Sequence, residues 1–270
     1  MAGILNIQMS PCVGDKKNNL NKVEYYIKKY SDKVLDLVIL PEFFSTGIND
    51  KFFKECPEDE NGGVVVKFLS DVAKKYNTNI ICGSVIEKVA DKYYNTSFAL
   101  NRNGKIIGKY RKIHLFNYMG GDEGNLITPG DEYVIADMDF GKVGMAVCFD
   151  IRYSQMFKKL AQLGAEVIVL PTAWVIPNEV YDDIKARNYA KDMWFAMNRT
   201  RAYDNMVYMV ISDICGNINS NVSCLGCSMI VSPMAEVLAS AQYDECAIYS
   251  DIDLRVNRFM RSQYPIADID

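Results

Sequence analysis

Two unbroken apolar stretches place the strongest limit on how this chain can fold. They are LVIL at 37–40, which Pro41 ends, and VIVL at 167–170. A strand that is apolar at every position is buried on both faces, because a strand with one exposed face alternates between apolar and polar residues. The chain must therefore build at least one sheet that other layers cover on both sides.

The remaining pattern alternates between helix and strand along the chain. Two hairpins, with turns at Asn103-Gly104 and Phe140-Gly141, are mixed among the strand–helix units. This mixture predicts mixed sheets in an α/β fold, and the absence of repeats and linkers predicts one domain over 1–270. The pattern predicts helices over 15–30, 64–76, 152–164 and 181–205, hairpins over 93–112 and 133–149, and strands over 4–10, 35–42, 78–87, 165–174, 206–212, 227–233 and 245–252.

Composition excludes several classes of partner. A net charge of -4 argues against nucleic acid, and no apolar run approaches the roughly 18 residues that would span a membrane. The start of the chain lacks the basic segment of a signal peptide. The eight cysteines have irregular spacing, which favours reduced thiols over a disulfide framework. We therefore expect a cytoplasmic protein.

Three ionisable residues end or follow predicted strands. Glu42 follows LVILP, Lys112 closes IIGKYRK, and Cys148 closes VGMAV. Ligand sites in α/β sheets form beyond the carboxyl ends of strands, so these side chains could converge on one site. A thiol at such a place is a candidate nucleophile, but the chain has one histidine, His114, which we expect to be structural. Taken alone, a cysteine that closes an apolar strand is more often a core residue than a nucleophile.

The segments around these residues resemble the nitrilase, or carbon–nitrogen hydrolase, superfamily. LPEFFSTG, YRKIHLF and CFDIRY are similar to its three signature regions, and the resemblance covers most of the chain. The resemblance implies a four-layer αββα sandwich with two mixed sheets and a triad of Glu42, Lys112 and Cys148. Further similar segments follow in the same order: DEGNLITPG (122–130), GAEVIVLPTAW (164–174), RAYDN (201–205) and GCSMIVSP (226–233).

The resemblance also implies a chemistry that needs neither a histidine nor a cofactor. Glu42 would take the thiol proton, Cys148 would attack an amide carbonyl, and Lys112 would stabilise the oxyanion together with the Phe149 N–H. Glu123 in DEGNLITPG matches a second family glutamate that positions the lysine, and the neighbouring Asp122 is the less favoured occupant. No metal is implied, because the CLGC pair at 224–227 lacks a second pair of ligands.

Three residues are candidates for contact with a substrate. Phe149 and Trp174 would line a narrow apolar pocket, although Trp174 could instead belong to the core. Arg152 could bind a substrate carboxylate, or it could form a structural ion pair with Asp150.

The leading hypothesis is an amidase, similar to the omega-amidase branch, that acts on a small aliphatic amide with a distal carboxylate. The alternative within the superfamily is an N-carbamoyl amidohydrolase, and the alternative of a different class is a catalytically silent binding scaffold. The resemblance implies a homodimer or a larger homo-oligomer.

Overall fold

The computed structural model describes residues 1–118 and 121–265. Its strands are short, and most of those in the first three quarters of the chain are buried along most of their length. They are β1 (Ala2–Gln8), β2 (Leu37–Ile39), β3 (Asn79–Ile81), β4 (Val85–Val89), β5 (Lys92–Leu100), β6 (Ile106–Arg111), β7 (Val134–Met138), β8 (Gly141–Met145), β9 (Val167–Thr172), β10 (Val175–Pro177), β11 (Tyr208–Asp213), β12 (Cys215–Asn217), β13 (Val222–Leu225), β14 (Met229–Val231), β15 (Val237–Ser240) and β16 (Cys246–Ile252).

Helices alternate with these strands, and two short 3₁₀ turns lie next to the functional residues, at Glu123–Asn125 and Cys148–Arg152. Within residues 1–118 and 121–265, none of the helices is both long and apolar enough to cross a membrane. The α-helices are α1 (Lys16–Lys29), α2 (Asp50–Glu55), α3 (Gly63–Tyr76), α4 (Ser154–Gln162), α5 (Asn178–Asp182), α6 (Ile184–Asn205) and α7 (Leu254–Gln263).

Two large mixed sheets form the centre of the molecule. The first has the strand order β16-β1-β2-β3-β5-β4, with β6 also paired to β5, and the second has the order β15-β14-β11-β9-β8-β7. In the first sheet β1, β2 and β3 are parallel, and in the second β8, β9 and β11 are parallel. A smaller sheet, β10-β13-β12, lies beside them.

Apolar side chains on the two faces of each sheet explain the layered arrangement. On the outer face of the first sheet, Leu5, Ile7 and Val38 form one buried cluster with residues of α1 and α3. Ile4 and Ile39 point the other way and join the core that the two sheets share. Helices α4 and α6 contact the second sheet. The predicted αββα sandwich is therefore confirmed.

Polar side chains inside this core fix how the two sheets meet. Asn6 of β1 is fully buried, and its amide donates to the carbonyl oxygens of Ile211 (2.7 Å) and Met229 (3.3 Å) in the second sheet. In return, the Ser212 hydroxyl donates to the Ile7 carbonyl oxygen at 2.6 Å. A slip between the sheets would leave these buried groups without partners, so they favour a single alignment.

The predicted elements differ from the observed ones mainly where the backbone turns. The strand predicted over 78–87 is two strands, because Gly83 adopts a φ of +54° and leaves no room for a Cβ beside the Pro41 carbonyl. The helix predicted over 181–205 is interrupted at Asp183, whose carboxylate caps the N-terminus of α6. Several elements were not predicted at all, namely α2, α7, β10, β12, β13 and β15.

Candidate active site

Glu42, Lys112 and Cys148, hereafter the triad, meet at the carboxyl ends of strands from both sheets. Glu42 lies in the turn that follows β2, Lys112 directly follows β6, and Cys148 begins the 3₁₀ turn shortly after β8. All three residues are buried: 1% of the surface of Glu42, 2% of that of Lys112 and 9% of that of Cys148 are exposed to solvent. Lys112 Nζ lies 3.0 Å from Glu42 Oε1, and the Cys148 thiol is close enough to Glu42 that each of the two groups affects the pKa of the other.

Two of the turns that carry the site are held in the left-handed region of the backbone. Cys148 has a φ of 47°, and Phe43, next to Glu42, has a φ of 51°. Residues other than glycine rarely adopt this conformation, and it persists where the surrounding structure imposes it. At Cys148 this conformation turns the backbone away from the direction of β8, so that the thiol lies at the start of the 3₁₀ turn.

Lys112 is the cation between two carboxylates. Its Nζ lies 2.8 Å from Glu123 Oε2 as well as 3.0 Å from Glu42 Oε1. Burial alone would lower the pKa of Lys112, but the negative charges of Glu42 and Glu123 outweigh burial and raise this pKa well above its usual value. The amine therefore stays an ammonium, as a group that stabilises an oxyanion must.

The thiol and its carboxylate neighbour are both biased toward their neutral forms. Burial, aided by the charge of Glu42, raises the pKa of Cys148 well above its usual value, against the opposing effects of Lys112 and a hydrogen bond from the Ala173 backbone. Burial also raises the pKa of Glu42, although Lys112 opposes that shift. Cys148 is thus a thiol at rest, and a thiol acts as a nucleophile only when a nearby base takes its proton.

Glu123 fills the fourth position that the sequence predicted. Besides Lys112, its Oε2 accepts the Phe116 backbone N–H at 2.8 Å, and its Oε1 accepts an N–H of the Asn95 amide at 3.0 Å. The neighbouring Asp122 is exposed, and its carboxylate accepts from Asn125. The structure therefore brings Glu123, and not Asp122, to the triad.

Asp150 fixes the 3₁₀ turn that begins at Cys148. Its buried carboxylate accepts from the Tyr110 hydroxyl (2.6 Å), from the Val147 N–H (2.8 Å) and from the His114 N–H (3.1 Å), and it lies 2.7 Å from His114 Nδ1. These contacts tie the segment after Lys112 to the turn at Cys148. They also occupy Asp150, whereas the Arg152 side chain is exposed, so the proposed pairing of Arg152 with Asp150 is not what the structure has.

The three predicted substrate contacts lie close together beside the thiol. Phe149 is half-buried and packs edge-on against Phe116 and Tyr153, with ring centroids 5.3 and 6.0 Å apart. The Arg152 guanidinium lies 5.2 Å from the centroid of the Trp174 ring. Trp174 is also only half-buried, although its ring packs against the fully buried Trp194. Phe149 and Trp174 form an apolar wall, and Arg152 is an exposed cation at the edge of this wall.

Sequence reasoning missed two polar residues that belong to this site. Asn95 on β5 donates to both glutamates, and Asp213 at the end of β11 accepts the Trp174 backbone N–H at 2.9 Å. Both are fully buried. Asn95 lies in the predicted hairpin at the position opposite Lys112, and that placement is a signal that could have identified it. Asp213 becomes apparent only once β9 and β11 are paired.

The stacked mixed sheets, with a buried thiol, carboxylate and ammonium at their strand ends, are typical of hydrolases built on the nitrilase fold. The sequence profile of the Carbon-nitrogen hydrolase family matches residues 6–261. The chain belongs to this family, and it is an amidase, a hydrolase that acts on the carbon–nitrogen bond of amides.

Known relatives and structures resemble the chain over nearly its whole length. Omega-amidase NIT2-B of Xenopus laevis is 32% identical over 256 residues, 93% of this chain and 88% of the relative. Omega-amidase NIT3 of Saccharomyces cerevisiae is 30% identical over 272 residues, 96% and 90% of the two chains. The crystal structure of yeast Nit3, a member of branch 10 of the nitrilase superfamily, has a TM-score of 0.85 at 28% identity and covers 98% of this chain and 94% of its own. A carbon–nitrogen hydrolase from Helicobacter pylori G27 has a TM-score of 0.87 at 26% identity, with 100% and 94% covered.

Proposed function

We propose that this amidase hydrolyses the ω-amide of a short dicarboxylic acid to the diacid and ammonia, with Cys148 as the nucleophile. The observation that carries the proposal is the buried contact of one thiol with one carboxylate, itself paired to one ammonium. The similarity to omega-amidases of frog and yeast supports the choice of substrate. All eight cysteines are free thiols, which favours a reducing compartment, so we retain the cytoplasm as the proposed location.

The first half of the proposed reaction forms a thioester. Glu42 takes the proton of Cys148 as sulfur attacks the amide carbon, so that the S–C bond forms while the carbonyl π electrons move to oxygen. The oxyanion is stabilised by the Lys112 ammonium and by the Phe149 N–H. Glu42 then gives its proton to the amide nitrogen, the C–N bond breaks, and ammonia leaves.

In the second half of the reaction, water is the nucleophile and the Cys148 thiolate is the leaving group. Glu42 takes a proton from a water molecule, whose oxygen attacks the thioester carbon, and the collapse of the second oxyanion expels the Cys148 thiolate. That thiolate recovers the proton from Glu42, and the diacid is released. Glu123 keeps Lys112 oriented throughout, because it accepts a second hydrogen bond from the ammonium besides the one to Glu42.

Arg152 is the proposed partner of the carboxylate at the far end of the substrate. Its guanidinium lies over Trp174 at the edge of the apolar wall. Arg201 lies within electrostatic range of Arg152: burial lowers the pKa of Arg201, the carboxylate of Asp204 opposes that shift, and the charge of Arg152 adds to it. Asp204 therefore offsets part of the positive charge of Arg201, and Arg152 is the cation that would face the substrate carboxylate.

Arg152→Ala should reduce kcat/KM for an ω-amide acid about tenfold more than for a neutral amide of equal length. This is the lower end of the range for a charge-assisted contact, because the guanidinium is exposed to solvent. The measurement is ammonia release from matched substrates, with carbon dioxide followed in parallel for the N-carbamoyl analogue.

Arg255→Ala is the matched control, since Arg255 is an exposed arginine on α7 that pairs with Asp253. Equal losses on charged and neutral amides would remove Arg152 from the binding site. Faster turnover of the N-carbamoyl compound would replace the proposed substrate class.

We also propose a homodimer that covers the exposed face of α6. Tyr189, Met193 and Tyr203 follow one another along this face and are 67%, 45% and 48% exposed. Large apolar side chains aligned on one helix face are typical of a surface that a partner covers. Met193→Glu should shift sedimentation toward the monomer, whereas Tyr25→Glu, on α1 over the other sheet, should not. A monomeric wild-type protein would refute the proposal.

A further inference from the structure

We propose that Asn95 is a positioning residue for the reaction: its amide bridges Glu42 and Glu123 and directs the free oxygen of Glu42 at the Cys148 thiol. This inference rests on the proposed function, because it assigns Asn95 a task only if Glu42 acts as the base. Asn95 lies on β5, and its side chain is fully buried.

One amide nitrogen serves both carboxylates. Asn95 Nδ2 donates to Glu42 Oε1 at 2.8 Å and to Glu123 Oε1 at 3.0 Å. The same residue is fixed by its backbone, because its carbonyl oxygen accepts the Lys112 N–H at 2.8 Å. Asn95 thus contacts the proposed base, the second glutamate and the backbone of the lysine, all of which belong to different segments of the chain.

The bonds to Glu42 are divided unequally between its two oxygens. Oε1 accepts from Lys112 Nζ and from Asn95 Nδ2. Two donors on Oε1 disfavour a proton there, which leaves Oε2 as the oxygen that exchanges a proton with Cys148. Lys112 cannot by itself impose this arrangement, because an ammonium on a flexible stem can move between oxygens, whereas an amide fixed on a strand cannot.

The orientation of the Asn95 amide follows from its neighbours. Turning it over would place the carbonyl oxygen against two carboxylates, so the NH₂ group must face them. Asn95 Oδ1 is then buried with no hydrogen-bond partner. A buried acceptor without a partner is destabilising, so the two donors, and not stability, explain an asparagine at this position.

Other charged and titratable groups around Glu42 set the background for a pH test. Lys112, Glu123 and Cys148 act on it directly, and Asp213 and Cys224 lie within electrostatic range. None of these groups changes when Asn95 is replaced. A shift in the titration of Glu42 would therefore report the loss of the amide donor.

The test compares Asn95→Ala and Asn95→Asp with wild type in pH profiles of kcat/KM for ammonia release. Loss of a donor to an ionised carboxylate raises its pKa, and a base works only when it is ionised. The acid limb should therefore move to higher pH in Asn95→Ala and further in Asn95→Asp, with losses at neutral pH of about 10–100-fold and more than about 100-fold, respectively. Raising the pH should partly restore Asn95→Ala.

Two sets of controls separate the possible failures. Ser97→Ala should match wild type, since Ser97 is a buried residue two positions along β5 whose hydroxyl has no partner. Unshifted acid limbs in both Asn95 variants, with Glu42→Gln and Cys148→Ala inactive, would overturn the role of Asn95 alone. Activity retained in Glu42→Gln or Cys148→Ala would instead overturn the proposed function and this inference with it. A lower thermal stability with an unshifted profile would reduce Asn95 to a structural residue.

Discussion

Cys148→Ala should lower kcat/KM for ammonia release by roughly four to six orders of magnitude, the range for removal of a covalent nucleophile. In the proposed reaction the thiol forms the bond to the amide carbon, and alanine has no group that could do so. Alanine can occupy the same buried turn, so the free energy of unfolding should change by no more than about 2 kcal/mol. A variant that is folded and inactive is the expected result.

Cys82→Ala is the matched control for this substitution. Cys82 is another buried thiol that follows a strand of the core, and burial also raises its pKa. It should keep wild-type turnover. Mass spectrometry of wild type during turnover should find the acyl adduct on Cys148 and on none of the other cysteines. Substantial activity in Cys148→Ala, or an adduct elsewhere, would exclude the thioester mechanism.

The buried strands could be predicted from the sequence because burial on both faces leaves an unmistakable pattern. β2 lies within the apolar stretch at 37–40, β9 begins with the stretch at 167–170, and the hairpin of β5 and β6 follows from its Asn-Gly turn. β15 could not be predicted in the same way, because its residues are only partly buried and carry no strong period. Short strands of this kind are set by their neighbours and not by their own residues.

The residues of the site also fall into two groups: those that could be named from the sequence and those that only the fold brings together. Glu42, Lys112 and Cys148 could be named from the sequence because each ends or follows a predicted strand and lies in a segment that resembles a signature region of the family. Asn95 and Asp213 could not, because their importance comes from contacts between segments that are distant in the sequence. Asn95 meets Glu42 only through the pairing of β3 with β5, and Asp213 meets the Trp174 backbone only through the pairing of β9 with β11.

Lys112→Met should lower kcat by about two to three orders of magnitude, with a much smaller change in KM. The ammonium contributes most to charge that develops on the carbonyl oxygen in the transition state, and such a contribution appears in kcat. Steady-state kinetics on one ω-amide acid measures both constants. An effect confined to KM would make Lys112 a substrate-binding residue instead.

The same substitution should also destabilise the fold, by about 3–5 kcal/mol near neutral pH, because it leaves two carboxylates without their shared cation. In wild type, Lys112 lowers the pKa of Glu42. In Lys112→Met, the pKa of Glu42 should therefore rise further above its value in the unfolded chain. A carboxyl group whose pKa is raised by folding destabilises the native state when it is ionised and not when it is protonated. The loss of stability relative to wild type should therefore shrink as the pH falls through the range in which carboxyl groups titrate.

The double variant Glu42→Gln/Lys112→Met should recover part of the lost stability, as measured by chemical denaturation, while turnover stays absent. Stability and activity that recovered together would mean that Lys112 acts on the fold and not on the oxyanion.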